Sequence, residues 1–231
     1  MEDISLHVLD ISQNSVSAGA RQITISVRED TAENLLTVSI TDDGGGIDPG
    51  ILSTVTDPFT TTRITRKVGL GLAFLESACR SVGGDLEVTS DSDGTCVSAT
   101  FRLVHVDRPP LGDMGSTLIV LLAANPEIRI VYVHEVNGKR FSFDSDEVAE
   151  LLEDVDVRSP LVLRWLSRYL NENLELLREG LDDRCHTSLD DVLLRHTMAD
   201  VHQGEAHCKG RGWCPTQGRW DAKGWGEEEG E

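Results

Sequence analysis

The stretch "TDDGGGIDPG", residues 41–50, sets three glycines directly behind two aspartates at the end of the run "NLLTVSIT" (34–41). That run alternates apolar and polar residues and is rich in β-branched ones, so it reads as a strand. Glycine adopts positive φ at little cost and lets another group approach bare backbone. An acid at a strand end followed by Gly44, Gly45 and Gly46 suits a flat ligand lying on main chain, with Asp42 accepting from an exocyclic amine. The same residues also fit a plain turn. The flanking segments decide between the two.

Upstream, residues 3–16 carry Ile4, Leu6, Leu9, Ile11 and Val16 at loosely helical spacing. On that helix Asp10 and Asn14 are four apart and share a face. An amide oxygen can hold Mg²⁺ without adding charge, and a carboxylate can take a proton from water. Solvated helix positions would look the same. His7, on the same helix, reads as structural. "QITISVR" (22–28) is a strand, joined to the next through the acidic turn "EDTAE" as a hairpin.

Downstream, the polar stretch 48–67 holds "DPFTTTRITRK", and "GLGLAFLESACRSVGG" (69–84) reads as a helix entered through glycine and stopped by Gly83 and Gly84. The first turn of a helix presents free N–H groups and a positive dipole end, a ready phosphate site. Arg63, Arg66 and Lys67 lie just before it. "DLEVTSD" and "TCVSATFRLV" are strands around "SDG". The order α-β-β-loop-α-β-β predicts an α+β domain, a sheet covered by helices on one face.

In this order the segments resemble the GHKL (Bergerat) ATPase superfamily of gyrase, heat-shock chaperones, histidine kinases and MutL. "LDISQNSVSAGA" is similar to its N box, especially the MutL type; "DDGGGI" to its Asp-x-Gly-x-Gly box; "DPFTTTR" and "KVGLGLAF" to the histidine-kinase F box and second glycine box; "GGDLEVTSDSDGTCVSATFRL" to the closing hairpin. The resemblance covers about residues 5–104. It implies a two-layer α/β sandwich, with ATP and Mg²⁺ as cofactors. It implies that Asp42 reads the adenine amino group and that Gly44, Gly46, Ile47 and Thr95 lie around the base. Asn14 holds Mg²⁺, and Asp10 is the candidate base. Gly69, Leu70, Gly71 and Leu72 offer backbone N–H groups to phosphate, beside Thr61, Thr62, Arg63 and Lys67 of a short lid. Asp10 is shorter than the family's usual Glu, and Ser17 stands where the MutL pattern has Asp.

Beyond the joint "DRPPLGD" (107–113), "MGSTLIVLLAANP" reads as a helix and "IRIVYVHEVNGKRFSFDS" as a hairpin about Asn137-Gly138. "SDEVAELLEDV" and "SPLVLRWLSRYLNENLELLREG" are amphipathic helices with Ser145 and Ser159 as N-caps. The expected division is therefore 1–105 for the ATP-binding domain, 113–180 for a small α/β appendix and 181–231 for a disordered tail. His196, His202, His207, Cys208 and Cys214 of the tail match no standard metal-site spacing.

The 231-residue chain carries a formal net charge of −19, which disfavours binding to nucleic acid or anionic membranes. Its five scattered cysteines are not a disulfide framework; Cys79 and Cys96 are expected as small buried hydrophobes. No signal peptide or apolar span is evident, so a cytoplasmic location is expected. The expected function is Mg²⁺-dependent ATP hydrolysis or phosphotransfer to a protein partner that supplies the phosphoacceptor or reads the nucleotide state, since no H box precedes the N box; a homodimer stays open. The alternative is a non-catalytic nucleotide-binding subunit of a larger complex.

Overall fold

A computed structural model describes residues 3–48, 50, 70–152, 155–180, 213–214 and 219–220. Helix α1 (Ile4–Ser17) begins where the Asp3 carboxylate accepts from the Leu6 amide at 3.0 Å. Strands β1 (Gln22–Asp30) and β2 (Leu35–Asp42) form the first hairpin, and β3 (Leu86–Asp91) and β4 (Gly94–Arg102) the second. Helix α2 (Leu70–Ser81) lies between the hairpins in sequence. After it come α3 (Met114–Ala124), β5 (Arg129–Val136), β6 (Lys139–Asp144), α4 (Ser145–Leu152) and α5 (Pro160–Arg178).

The period-two pattern does what it must on a sheet with one covered face. Ile23, Ile25 and Val27 on β1, Leu36, Val38 and Ile40 on β2, and Val97, Ala99 and Phe101 on β4 are all buried. Val8, Leu75, Leu118, Leu121, Leu166 and Leu170 supply the helical side of the same core. Burying each of the Val, Ile, Leu and Phe side chains contributes about 1.5–3 kcal/mol. Alternate positions, among them Thr24, Ser26, Thr37, Ser39 and Ser98, are only half-buried.

The six strands form one mixed sheet in the order β3-β4-β2-β1-β5-β6. Every neighbouring pair is antiparallel except β1 and β5, which run parallel from Gln22↔Arg129 to Glu29↔Val136. Residues 129–144 thus extend the sheet that the first hairpins begin. The proline joint lies along α1, where the Ile4 and Ser5 amides donate to Pro110 and Leu111 carbonyls at 3.0 and 2.9 Å.

The β5–β6 turn has Asn137 at φ 51°, the left-handed conformation a tight hairpin turn requires. Its Oδ1 accepts from both the amide and the hydroxyl of Thr31 at 2.9 Å, tying this turn to the β1–β2 turn. Of the two expected serine caps, Ser159 does stand at the N-cap of α5, though its side chain makes no cap bond. Ser145 is the first residue of α4, and its hydroxyl accepts from the Ile130 amide at 2.8 Å, so it ties α4 to β5.

At the far end of β1 from Asp42, the Tyr132 hydroxyl and His134 Nδ1 are 2.9 Å apart, and His134 Nε2 lies 2.9 Å from Glu29 Oε1. Tyr132 and His134 are fully buried. A neutral ring with its proton on Nε2 satisfies all three: the phenol donates to Nδ1, and Nε2–H donates to the carboxylate. The His134 hydrogen bond holds the Glu29 carboxyl below its usual range, against the opposing effect of burial.

A separate unit, Ser188–Glu231, contains the described strands β7 (Trp213–Cys214) and β8 (Arg219–Trp220), which pair antiparallel. The expectations of disorder and of a tail metal site otherwise fall outside the described residues. No helix among the described residues is long and apolar enough to cross a membrane.

Two predictions follow from these tethers. Asn137→Ala should cost about 1–2 kcal/mol in urea unfolding, from lost hydrogen bonds and an unfavourable φ; an unchanged midpoint would remove the turn-to-turn tether. Because Glu29 has a folded pKa below its reference value of 4.5, its stabilisation is full above pH 4.5 and is lost as pH falls through the folded value. Glu29→Gln should therefore flatten that acid limb of the stability curve.

Candidate functional site

The end of β2 brings the predicted base-reading acid to the C-terminal half of α1. Asp42 is 9% exposed. One carboxylate oxygen accepts from the Ser15 hydroxyl at 2.5 Å and the other from the Gly44 amide at 2.9 Å. Ser15, one residue after Asn14 and four after Ile11, faces inward and is itself buried. The next acid does something else: Asp43 Oδ1 accepts from the Arg21 and Gln22 amides at 2.7 and 2.8 Å, and these bonds depress its pKa. Asp42 is thus the inward carboxylate, whereas Asp43 secures the start of β1.

The glycines meet the protein's own chain. Gly45 donates to the Ala18 carbonyl at 3.0 Å, which fixes the loop to the end of α1. Gly46 has φ 71°, and a Cβ there would strike the Asp91 carbonyl, so its lack of side chain serves close packing against β3. Ile47 is held there as well, its amide donating to Ser90 Oγ at 2.8 Å. Ser90 Oγ is also 2.9 Å from the Thr95 hydroxyl and donates to the Gly94 carbonyl at 3.0 Å. Thr95 lies opposite Asp42 in the β2–β4 register. Asp42, Gly44, Gly46, Ile47 and Thr95 are therefore brought to one end of the sheet.

The second half of the predicted site is where α1 meets α2. Asp10 presses against Gly71, leaving no room for a Cβ at that position. Gly71 and Leu72 are half-buried and Asn14 is exposed, so the Asn14 amide is open to a ligand. Leu70 opens α2. His7, one turn before Asp10, is 3% exposed, and its Nδ1 is buried without a hydrogen-bond partner. Burial lowers its pKa, against the opposing influence of Asp10, the Gly71 carbonyl and Asp3. Thr61, Thr62, Arg63, Lys67 and Gly69 lie outside the described residues.

Among the remaining candidates, Cys79 is buried and its thiol is pushed up to about 12 by desolvation, which makes it unreactive. Cys96 is only half-buried, with the Thr41 hydroxyl at 3.4 Å from its sulfur. A cleft of about 220 Å³ lined by Gly112, Asp113, Asn171, Glu175 and Arg178 contains none of the predicted site residues. No group of three or more potential metal ligands of the His, Cys, Asp or Glu type occurs among the described residues.

The family model described as histidine kinase-, DNA gyrase B- and HSP90-like ATPase matches residues 2–105. Those residues are a GHKL ATPase domain. The tetrathionate sensor histidine kinase TtrS of Salmonella typhimurium is 34% identical to this chain over 113 residues, covering 47% of this chain and 18% of that protein. The non-motile and phage-resistance protein of Caulobacter vibrioides is 32% identical over 111 residues, covering 44% and 13%. The chain thus spans less than a fifth of the length of these curated relatives. Among solved structures, the ADP-complexed MutL ATPase domain of Aquifex aeolicus aligns with TM-score 0.41 and 14% identity, over 66% of this chain and 70% of that one. The GHKL domain accounts for four of the six strands, and the parallel pairing with β5 carries the sheet beyond it.

Ser15 was not among the residues singled out from sequence. Its signal is positional: it follows Asn14 in the N box and sits on the helix face that turns toward the sheet. Ser15→Ala leaves one oxygen of a buried carboxylate without its donor, so it should destabilise the fold by about 1–3 kcal/mol. Chemical unfolding of the two proteins side by side measures this, and equal stability would show that Asp42 does not depend on the hydroxyl.

Proposed function

We propose that residues 2–105 bind ATP with Mg²⁺ and either hydrolyse it or pass its phosphate to a protein partner, with the remainder of the described sheet serving that partner. The observation that carries this is the state of Asp42: a carboxylate at a strand end, nearly buried, with both oxygens already oriented by Ser15 and Gly44. Each oxygen retains acceptor capacity after one bond. A purine amino group is a donor of the right kind for it, and Thr95 on the neighbouring strand would add a hydroxyl beside the base.

The nucleotide fits the other residues in the same way. Gly71 and Leu72, with Leu70 and Gly69, would offer first-turn N–H groups of α2 to phosphate oxygens, aided by the helix dipole. Thr61, Thr62, Arg63 and Lys67 would add hydroxyl and cationic groups. Asn14, exposed on α1, would hold Mg²⁺, which when bound supplies charge neutralisation to the phosphates. Asp10 lies one turn before Asn14 on the same helix face, against α2. Its role would be to accept the proton of an attacking water or hydroxyl. The net charge of −19 fits a partner other than nucleic acid.

The test separates binding from chemistry. Calorimetry with ADP and Mg²⁺ should give saturable binding that Asp42→Ala weakens by at least about tenfold. With γ-labelled ATP, Asp10→Asn should keep that binding and lower turnover by about a hundredfold or more. Label released as phosphate indicates hydrolysis, and label found on protein from a cell lysate indicates transfer. Binding with no turnover in either protein would favour the non-catalytic subunit. No binding by the unaltered chain would end the nucleotide reading.

A further inference from the structure

His7 has no part in the function proposed above, yet it occupies the junction on which that function would turn. It lies on α1 one turn before Asp10, and the two side chains share a helix face. That face meets α2 at Gly71, which packs directly against the Asp10 carboxylate. His7 is 3% exposed, and its Nδ1 is buried without a partner. The Gly71 backbone favours a protonated ring, against the larger effect of burial, while Nδ1 itself completes no hydrogen bond.

A buried polar nitrogen left unpaired is costly, and such groups in folded proteins call for a reason. Simple packing does not supply one, because Leu or Ile would fill the space without that cost. The peptide unit between Gly71 and Leu72 supplies a better one. Its carbonyl belongs to Gly71, the residue of α2 that packs against Asp10 of α1. Its N–H belongs to Leu72, in the first turn of α2. Hydrogen bonds at the two ends of one peptide group polarise each other, so engaging the N–H strengthens the carbonyl as an acceptor.

We propose that His7 is a positioning residue of the nucleotide site, a latch on α1 whose ring donates to the Gly71 carbonyl once the first turn of α2 engages phosphate. This rests on the nucleotide reading and adds to it a specific coupling between the two helices. The neutral imidazole carries one N–H and can place it on Nδ1. The carbonyl has a second lone pair beyond its helical bond. The latch works through Gly71 and does not touch the nucleotide, so its loss weakens binding without abolishing it. Coupling is reciprocal, so nucleotide must also change the environment of the ring.

The experiment uses the full chain with ADP and Mg²⁺. Imidazole ¹⁵N spectra of the unaltered protein, with the His7 signals assigned by their loss in His7→Leu, should show the His7 Nδ1 resonance moving to a hydrogen-bonded, protonated position on addition of ADP. His7→Leu should bind ADP about three- to tenfold more weakly, the worth of one neutral hydrogen bond. His7→Asn, whose amide stands near the Nδ1 position, should recover most of that loss. Binding by the unaltered chain with an unmoved His7 resonance would overturn the latch, as would equal affinity of His7→Leu. If His7→Leu does not fold, the resonance is assigned through His7→Asn, and its response to ADP decides alone. Absence of ADP binding by the unaltered chain would overturn the nucleotide reading itself and the latch with it.

Discussion

One carboxylate at the end of β2 sets the terms for its surroundings. Asp42 sits where little water reaches it, so the fold must supply hydrogen-bond donors to its carboxyl oxygens. Ser15 comes from α1 and the Gly44 amide from the loop that follows. Those two bonds fix how α1 lies on the sheet and how the chain leaves the strand. The glycine loop then has nowhere to go except between the end of α1, through Gly45 and Ala18, and the β3–β4 hairpin, through Gly46 and Asp91. Orientation of the acid and closure of the loop are the same event.

The second junction obeys a different constraint. Where α1 meets α2 the requirement is closeness: Gly71 admits the Asp10 carboxylate only because it has no side chain. A carboxylate held against the first turn of a helix is in a favourable place electrostatically, since that end of the dipole is positive. The same field would draw phosphate. Helix α1 therefore joins two halves of the candidate site, with Ser15 turned to the sheet, Asp10 turned to α2, and Asn14 exposed between them in sequence.

What could be read from the sequence was what local chemistry determines. The strand ending at Asp42, the helix bearing Asp10 and Asn14, and the hairpin at Asn137-Gly138 all follow from periodicity and turn residues within about ten positions. The GHKL domain was expected from the resemblance of the segments within residues 5–104, in their order, to that family's boxes, and the family match at 2–105 agrees with it. Less legible was anything decided by a distant partner. The parallel pairing of β1 with β5 joins residues more than a hundred apart and leaves no local mark. Ser145 looks like a helix cap from its neighbours, but its hydroxyl answers Ile130 across the fold. His134 and Tyr132 alternate like any strand residues, and only the register with β1 reveals that Glu29, two residues past the Val27 that lies opposite His134, reaches the ring. Gly46 reads as a ligand-facing glycine, while the carbonyl crowding it comes from Asp91.

The parallel ladder has one more consequence. In the GHKL segment taken alone, β1 has a single neighbour, β2, and its other side carries the backbone groups that β5 now engages from Gln22 to Glu29. A chain cut at the proline joint would turn β1 into an open sheet margin: untwisted by any bulge, long enough to recruit a foreign strand, and free of proline. Self-association through that margin would follow. Residues beyond the joint thus act as a guard strand, and the smallest unit that keeps β1 paired on both sides is larger than the family boundary suggests.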